Sequence, residues 1–83
     1  MDMIARTPKQ VGAAIRRSRR TRKMIQDALG QKMHARQATV SKLEAGEPGT
    51  QLQTLMDALT ALELELVIRP RSTVSTKEIE DLF

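Results

Sequence analysis

The sequence predicts a small all-α protein: a bundle of four to five helices that contains a helix-turn-helix and ends in a short strand. Three observations lead to this prediction. Apolar residues recur at helical spacing, residues 25–44 divide into two short helices joined by a tight turn, and the spacing then becomes an alternation at Leu64, Leu66 and Ile68. With 83 residues and Phe83 as the single aromatic residue, we expect one domain with an aliphatic core.

Helix 1 is predicted at residues 8–22, after an N-terminal arm at residues 1–7. Thr7 can cap this helix through its hydroxyl, Pro8 suits the first turn, and Gln10 can reach back toward the cap. Polar and apolar positions then follow the helical period.

Helices 2 and 3 are predicted at residues 26–33 and 37–45, and Gly46 is a natural terminator in a left-handed conformation. Four apolar residues can bury the inner faces of this pair: Leu29, Met33, Val40 and Leu43. Two short helices joined in this way are typical of a helix-turn-helix, whose second helix lies in the major groove of DNA. The helix-turn-helix domain is expected to span residues 8–62.

Helix 4 is predicted from a cap at Thr50 through Leu62, because its leucines and methionine recur three and four residues apart. Residues 63–70 are predicted to form a strand. A lone strand leaves its backbone groups unpaired, and the sequence offers no second strand. We therefore predict an antiparallel ribbon formed by two copies across a homodimer axis. The alternative is that residues 63–68 simply extend helix 4.

Charge is distributed unevenly along the chain. Residues 1–42 hold eleven basic and two acidic residues, whereas residues 43–83 hold three basic and eight acidic ones. A cationic half favours a polyanionic partner such as nucleic acid. The alternative is an ordinary solvated basic face on a helix.

Composition argues against several other classes of protein. The chain has no cysteine and a single histidine, so neither a disulfide framework nor a histidine metal cluster is expected, and no cofactor is implied. No catalytic set of residues is visible, which makes an enzyme the least expected class. No apolar run reaches the length of a membrane span, and the start lacks a signal-peptide pattern, so we expect a cytoplasmic protein.

The polar face of helix 3 offers candidates for reading bases. The amide of Gln37 can pair with adenine, Arg36 can pair with guanine, and the methyl group of Ala38 can meet a thymine methyl group. Ser41 is a further candidate for base contact. The candidates for phosphate contact are Thr39, Lys42 and Arg17. The alternative for all of them is an exposed polar helix face.

Several positions together resemble the XRE/Cro/C1-type helix-turn-helix family, whose fold is lambda-repressor-like, over about residues 11–62. The matching positions are Ile15, Arg19, Gln26, Leu29, residues 39–46, Leu52 and Leu55. Within this family, residues 36–41 and the alternation that starts at Leu62 look like the HipB antitoxins. Three positions depart from the family pattern: Ile25 replaces a capping Thr or Ser, and Lys23 and His34 replace frequent glycines.

The resemblance implies a function and several roles. HipB antitoxins are dimeric repressors of the operon that encodes them and a HipA-type kinase toxin. The resemblance therefore implies a homodimer on a palindromic operator, autoregulation, and a HipA-like kinase toxin as partner. It also implies that Gln26 binds a phosphate and that an ion pair between Arg19 and Glu44 ties helix 1 to helix 3.

Two questions stay open at the level of the sequence. Residues 71–83 are either a flexible tail or a segment that docks a partner through Ile79, Leu82 and Phe83. The chain could also be a stand-alone or prophage regulator of the same family without a toxin, or a protein-interaction module that has lost DNA binding.

Overall fold

The structure is a computed structural model that describes residues 2–71. It contains four helices, α1 (Pro8–Thr21), α2 (Gln26–Met33), α3 (Gln37–Glu44) and α4 (Leu52–Ala61), and no strand within residues 2–71. The prediction of an all-helical bundle is confirmed. No helix of the described chain is both long and apolar enough to cross a bilayer.

The start of α1 follows from its first residues. The Thr7 hydroxyl accepts a hydrogen bond from the backbone N–H of Gln10 at 3.1 Å, and Pro8 occupies the first turn. The Gln10 side chain reaches back one residue further than in a standard capping box, because its Oε1 accepts from the N–H of Arg6 at 2.6 Å. The predicted cap of helix 1 is therefore confirmed.

The core is built only from aliphatic residues and methionine. Ile15, Leu29, Val40 and Leu62 are completely enclosed, one from each of α1, α2 and α3 and one from the end of α4. Around them lie four further buried apolar residues: Met33, Leu43, Ala58 and Leu59. Both α1 and α2 pack on α3, and α2 also packs on α4. This arrangement holds α3 from its inner side and leaves its other side at the surface.

Two glycines bring α1 close to the end of α3. A Cβ atom on Gly12 would lie 2.5 Å from the carbonyl oxygens of Leu43 and Glu44, so only a hydrogen atom fits there. Gly46 has φ +79° and a Cβ on it would overlap the backbone of Lys9. The predicted left-handed stop after helix 3 is therefore confirmed, and the same residue also packs on the first turn of α1.

Three other residues use left-handed backbone without being glycine: Lys23, His34 and Glu63, with φ between 55° and 57°. Lys23 and His34 are the two positions at which the sequence departs from frequent glycines. The third departure, Ile25, precedes α2 and provides no side-chain cap, as expected. The turns thus keep their shape, although a side chain at such a position costs about 1 kcal/mol or more.

Helix 4 differs from the prediction at both ends. Thr50 does not cap it: the backbone N–H of Thr50 bonds to Glu47, and the residue before the helix is Gln51, whose side chain makes no cap bond. The helix ends at Ala61, and Glu63 turns left-handed. The alternative in which residues 63–68 extend helix 4 is therefore wrong.

Residues 64–71 form neither a helix nor a strand within the described chain. The strand and its pairing across a dimer thus stay predictions. Leu52 and Met56 of α4 also lie at the surface, with 67% and 39% of their area exposed, although both belong to the apolar spacing that predicts this helix. The predicted docking anchors Ile79, Leu82 and Phe83 lie outside the described residues.

Gly12→Ala is expected to lower the free energy of unfolding by about 2 kcal/mol, because the new methyl group meets backbone oxygens that cannot move independently. The intrinsic preference of a helix for alanine, about 1 kcal/mol, acts in the opposite direction and makes the test stringent. Urea unfolding measures the difference. The control is Gly49→Ala, where nothing lies within 4 Å of the added Cβ; equal stability of the two variants would contradict the close approach of α1 and α3.

Candidate nucleic-acid interface

The turn between α2 and α3 is tight and places the start of α3 at the surface. His34 adopts φ 57°, ψ 39°, and the N–H of Ala35 then donates to the carbonyl of Gly30 at 2.8 Å. A Cβ on Gly30 would lie 2.8 Å from the Ala35 oxygen, so the two segments touch through their backbones. This turn fixes the direction in which α3 leaves α2.

The polar side of α3 faces outward. Val40, Leu43 and Glu44 are buried, and the polar candidates lie on the opposite face. Five of the six predicted contact residues of this helix and its cap are exposed, namely Arg36, Gln37, Ala38, Ser41 and Lys42, and Thr39 is half-buried. The structure thus brings the candidates of α3 onto one surface. Arg17 belongs to another helix, α1, where it is also exposed.

A buried ion pair lies directly behind this surface. Arg19 Nε donates to Glu44 Oε2 at 2.7 Å, and Arg19 Nη2 donates to Glu44 Oε1 at 2.9 Å. Only 7% of Arg19 and 8% of Glu44 is exposed. A third bond joins Arg19 Nη1 to the carbonyl of Met24 at 2.7 Å, in the turn after α1. The hydrogen bond to Glu44 raises the pKa of Arg19 above its usual value, so the guanidinium remains charged.

The ion pair continues as a chain of hydrogen bonds to the surface of α3. Gln26 Nε2 donates to Glu44 Oε1 at 3.2 Å, and Gln37 Nε2 donates to Gln26 Oε1 at 3.4 Å. An ionised carboxylate only accepts hydrogen bonds, so Glu44 requires the NH2 group of Gln26 and leaves its oxygen for Gln37. Gln37 then keeps its own oxygen and a second N–H for another molecule. This is the acceptor–donor pair that adenine matches in the major groove.

The family resemblance implies a phosphate contact for Gln26, whereas its contacts with Glu44 and Gln37 were not predicted. A signal was available, since Gln26 and Gln37 begin the two helices of the predicted pair. Whether their side chains meet depends on the angle between α2 and α3, and this angle cannot be predicted from the apolar spacing within each helix.

The residues of the predicted dimer strand line one groove together with residues of α1 and α4. Leu64 is half-buried against the core, whereas Leu66 and Ile68 are 52% and 91% exposed. They line an open groove together with Met3 and Ile4 of the N-terminal arm. A groove with this much exposed apolar surface has the character of an interface.

Comparisons with known proteins bear on this arrangement. No family model and no curated protein matches the sequence. Among solved structures, a HipA-HipB-O2-O3 complex contains a chain that is 27% identical, with a TM-score of 0.79 over 86% of this chain and 100% of that one. A HipB-O4 20mer complex matches at 27% identity with a TM-score of 0.80 over the same shares. The resemblance to HipB is confirmed.

A third similar structure is described only as MDT Protein, and it has a TM-score of 0.79 at 27% identity. The HipB chains are covered in full, so the shared fold includes all four helices and not the helix pair alone.

No group of three or more histidine, aspartate or glutamate side chains within residues 2–71 is arranged to hold a metal ion.

Glu44→Ala is expected to lower the free energy of unfolding by about 3 kcal/mol, because it leaves the buried guanidinium of Arg19 without its carboxylate. Chemical denaturation measures the change. Glu63→Ala is the matched control: Glu63 makes the same kind of contact with Arg22 at 2.9 Å, but both side chains are exposed to water. Stability losses of similar size in the two variants would show that the buried pair has no special weight.

Proposed function

We propose that this chain is a homodimeric, sequence-specific DNA-binding repressor of the HipB type. The observation that carries the proposal is the oriented amide of Gln37, held by Gln26 and Glu44 on the outward face of α3. The second support is the similarity to HipB structures, which are complexes with operator DNA and with HipA. Both point to α3 as the recognition helix of a helix-turn-helix.

In the proposed complex, the start of α3 enters the major groove. Gln37 reads adenine through its free oxygen and N–H, and Ala38 packs its methyl group on a neighbouring thymine. Arg36 and Ser41 reach further base edges. Gln26, Thr39, Lys42 and Arg17 bind phosphates, which sets the register of the helix without reading sequence. The half-buried position of Thr39 suits a contact made from the edge of α3.

The homodimer is proposed from the state of residues 64–71. The backbone groups of residues 65–71 form no hydrogen bond with other backbone groups of the described chain, and Leu66 and Ile68 expose apolar surface on one side of the segment. Pairing with the same segment of a second copy satisfies these groups and covers the apolar side chains. Two recognition helices about 34 Å apart would then enter successive major grooves of a palindromic operator.

The proposed biological role is that of an antitoxin. One of the similar structures is a complex of HipB with HipA. By this similarity, the dimer binds a HipA-like kinase toxin and represses the operon that encodes both proteins. Repression follows from occupancy of the operator, which excludes RNA polymerase. The basic N-terminal half of the chain suits the DNA part of this role.

The main alternative is a stand-alone or prophage regulator with the same fold and no toxin. It shares every residue role on DNA with the first proposal, so DNA binding cannot separate the two. Co-purification of a kinase-sized partner from the native host supports the antitoxin, and its absence with operator binding intact supports the regulator. A protein-interaction module predicts instead that no salt-dependent DNA binding is found.

Gln37→Ala is expected to weaken discrimination at one base position in each half-site by about 1–3 kcal/mol, because the adenine loses its paired donor and acceptor. Competition gel-shifts with operators changed one base at a time measure this loss. Gln31→Ala is the matched control, because Gln31 is an exposed glutamine of α2 whose side chain donates to Asp27, at 3.4 Å, and not to a residue of α3. A Gln37 variant that keeps the full base preference would remove this residue as a reader.

Leu66→Asp is expected to convert the dimer to monomers, since a carboxylate would be buried in the paired ribbon. Sedimentation velocity measures the result. Val67→Asp is the control: Val67 is also exposed, but in an extended segment it points to the side opposite Leu66. If Leu66→Asp sediments as the unaltered dimer, the ribbon does not join the two copies.

A further inference from the structure

One side of α1 carries a row of cations, of which only Arg17 already has a role in the proposed DNA complex. Lys9, Arg16, Arg17 and Arg20 are all exposed, and we name them the α1 basic stripe. Their spacing along the helix places them on neighbouring positions of one side, with the small residue Ala13 between them. Together they line a shallow groove on the surface.

The charge of the stripe is not balanced within the described part of the chain. Helix α1 contains no acidic residue. The ion pairs formed within residues 2–71 use Arg19 and Arg22, and neither belongs to the stripe. The carboxylate of Glu44 lines the same groove, but it is buried and bonded to Arg19 and Gln26. Four neighbouring cations without counter-charges form a surface suited to a polyanion.

The position of the stripe relative to α3 indicates which polyanion. The groove reaches Ala45, the exposed residue that follows α3. Ala45 lies one turn after Ser41 on the same side of the helix, so the stripe borders the outward face of α3 at its end. The close backbone approach at Gly12 and Gly46 places α1 against the end of α3. The stripe and the proposed base-reading face therefore form one continuous surface.

We propose that the α1 basic stripe binds the phosphate backbone that borders each half-site, as a second line of contacts beside the recognition helix. The inference rests on the proposed DNA-binding function and adds a partner surface to it. Arginine suits this task because its planar guanidinium can make two parallel hydrogen bonds to one phosphate. Such contacts add affinity for any sequence and leave base preference to α3.

The test measures the salt dependence of binding by full-length variants. The probes are a duplex with the sequence upstream of the protein's own gene and a scrambled duplex of equal length. The slope of log K against log salt is negative, and each lost phosphate contact makes it less steep by about 0.9. Arg16→Gln and Arg20→Gln should each reduce the slope by about this amount per protomer, on both duplexes, and the ratio of the two affinities should stay unchanged.

Lys32→Gln is the matched control, because it also removes one exposed positive charge. Lys32 lies on α2 and is therefore outside the stripe. Its slope should equal that of the unaltered protein. All three side chains are exposed, and equal melting temperatures by circular dichroism verify that the variants are folded.

Two outcomes overturn the inference. In the first, the Arg16 and Arg20 variants show the same slope as Lys32→Gln. In the second, their slope is unchanged and they lose an acidic protein partner, which assigns the stripe to protein docking. Failure of the proposed function is a different result: the unaltered protein would then bind both duplexes equally well. In that case a lower slope in the two arginine variants would still support the stripe as a phosphate-binding surface.

Discussion

The carboxylate of Glu44 is the contact on which the rest of this small protein depends. It lies at the end of α3, accepts two hydrogen bonds from Arg19 of α1, and accepts a third from Gln26 of α2. One buried group thus joins the three helices that form the proposed DNA-binding unit. Burying such a pair is costly in itself, and the bidentate geometry and the additional hydrogen bond from Gln26 offset part of this cost. No buried side-chain polar atom of the described chain lacks a partner.

The same carboxylate connects stability with recognition. Its acceptor-only chemistry determines which end of the Gln26 amide faces inward, and this choice passes to Gln37 through the next hydrogen bond. A glutamine that could rotate freely would present either its oxygen or its nitrogen to a given atom of a base. Holding it in one orientation removes this ambiguity before DNA arrives, and it reduces the entropy lost on binding. We therefore propose that the buried carboxylate of Glu44 orients the base-reading side chain of Gln37 before DNA binds.

Much of the fold could be predicted from the sequence, because helical period and capping chemistry are local. The cap at Thr7, the left-handed stop at Gly46 and the bounds of α2 all follow from residues within one or two turns. The cap at Thr50 was wrong because the chain makes a turn from Glu47 that places Thr50 before the helix begins. The exposure of Leu52 could not be predicted either, since helical spacing alone does not say which part of a face lies over the core.

The candidate site was predictable as a set of residues and not as a network. The outward positions of Gln37, Ala38 and Ser41 follow from the burial of Val40 and Leu43 at helical spacing. The link from Glu44 through Gln26 to Gln37 depends on how α2 packs against α3, and these residues are up to 18 positions apart in sequence. Contacts of that kind are set by tertiary packing, which no local pattern encodes.

Glu63 shows how a single residue can determine the direction of a whole segment. Its left-handed backbone, φ 55°, reverses the chain after α4, and the next N–H, from Leu64, bonds back to Leu59 at 2.8 Å. A glycine would reach this shape with less strain but would also permit many others. Because glutamate has fewer accessible backbone conformations than glycine, the connection after α4 is stiffer. If two copies are joined through residues 64–71, this stiff connection would keep their helical bundles at a constant distance without a long coiled connector.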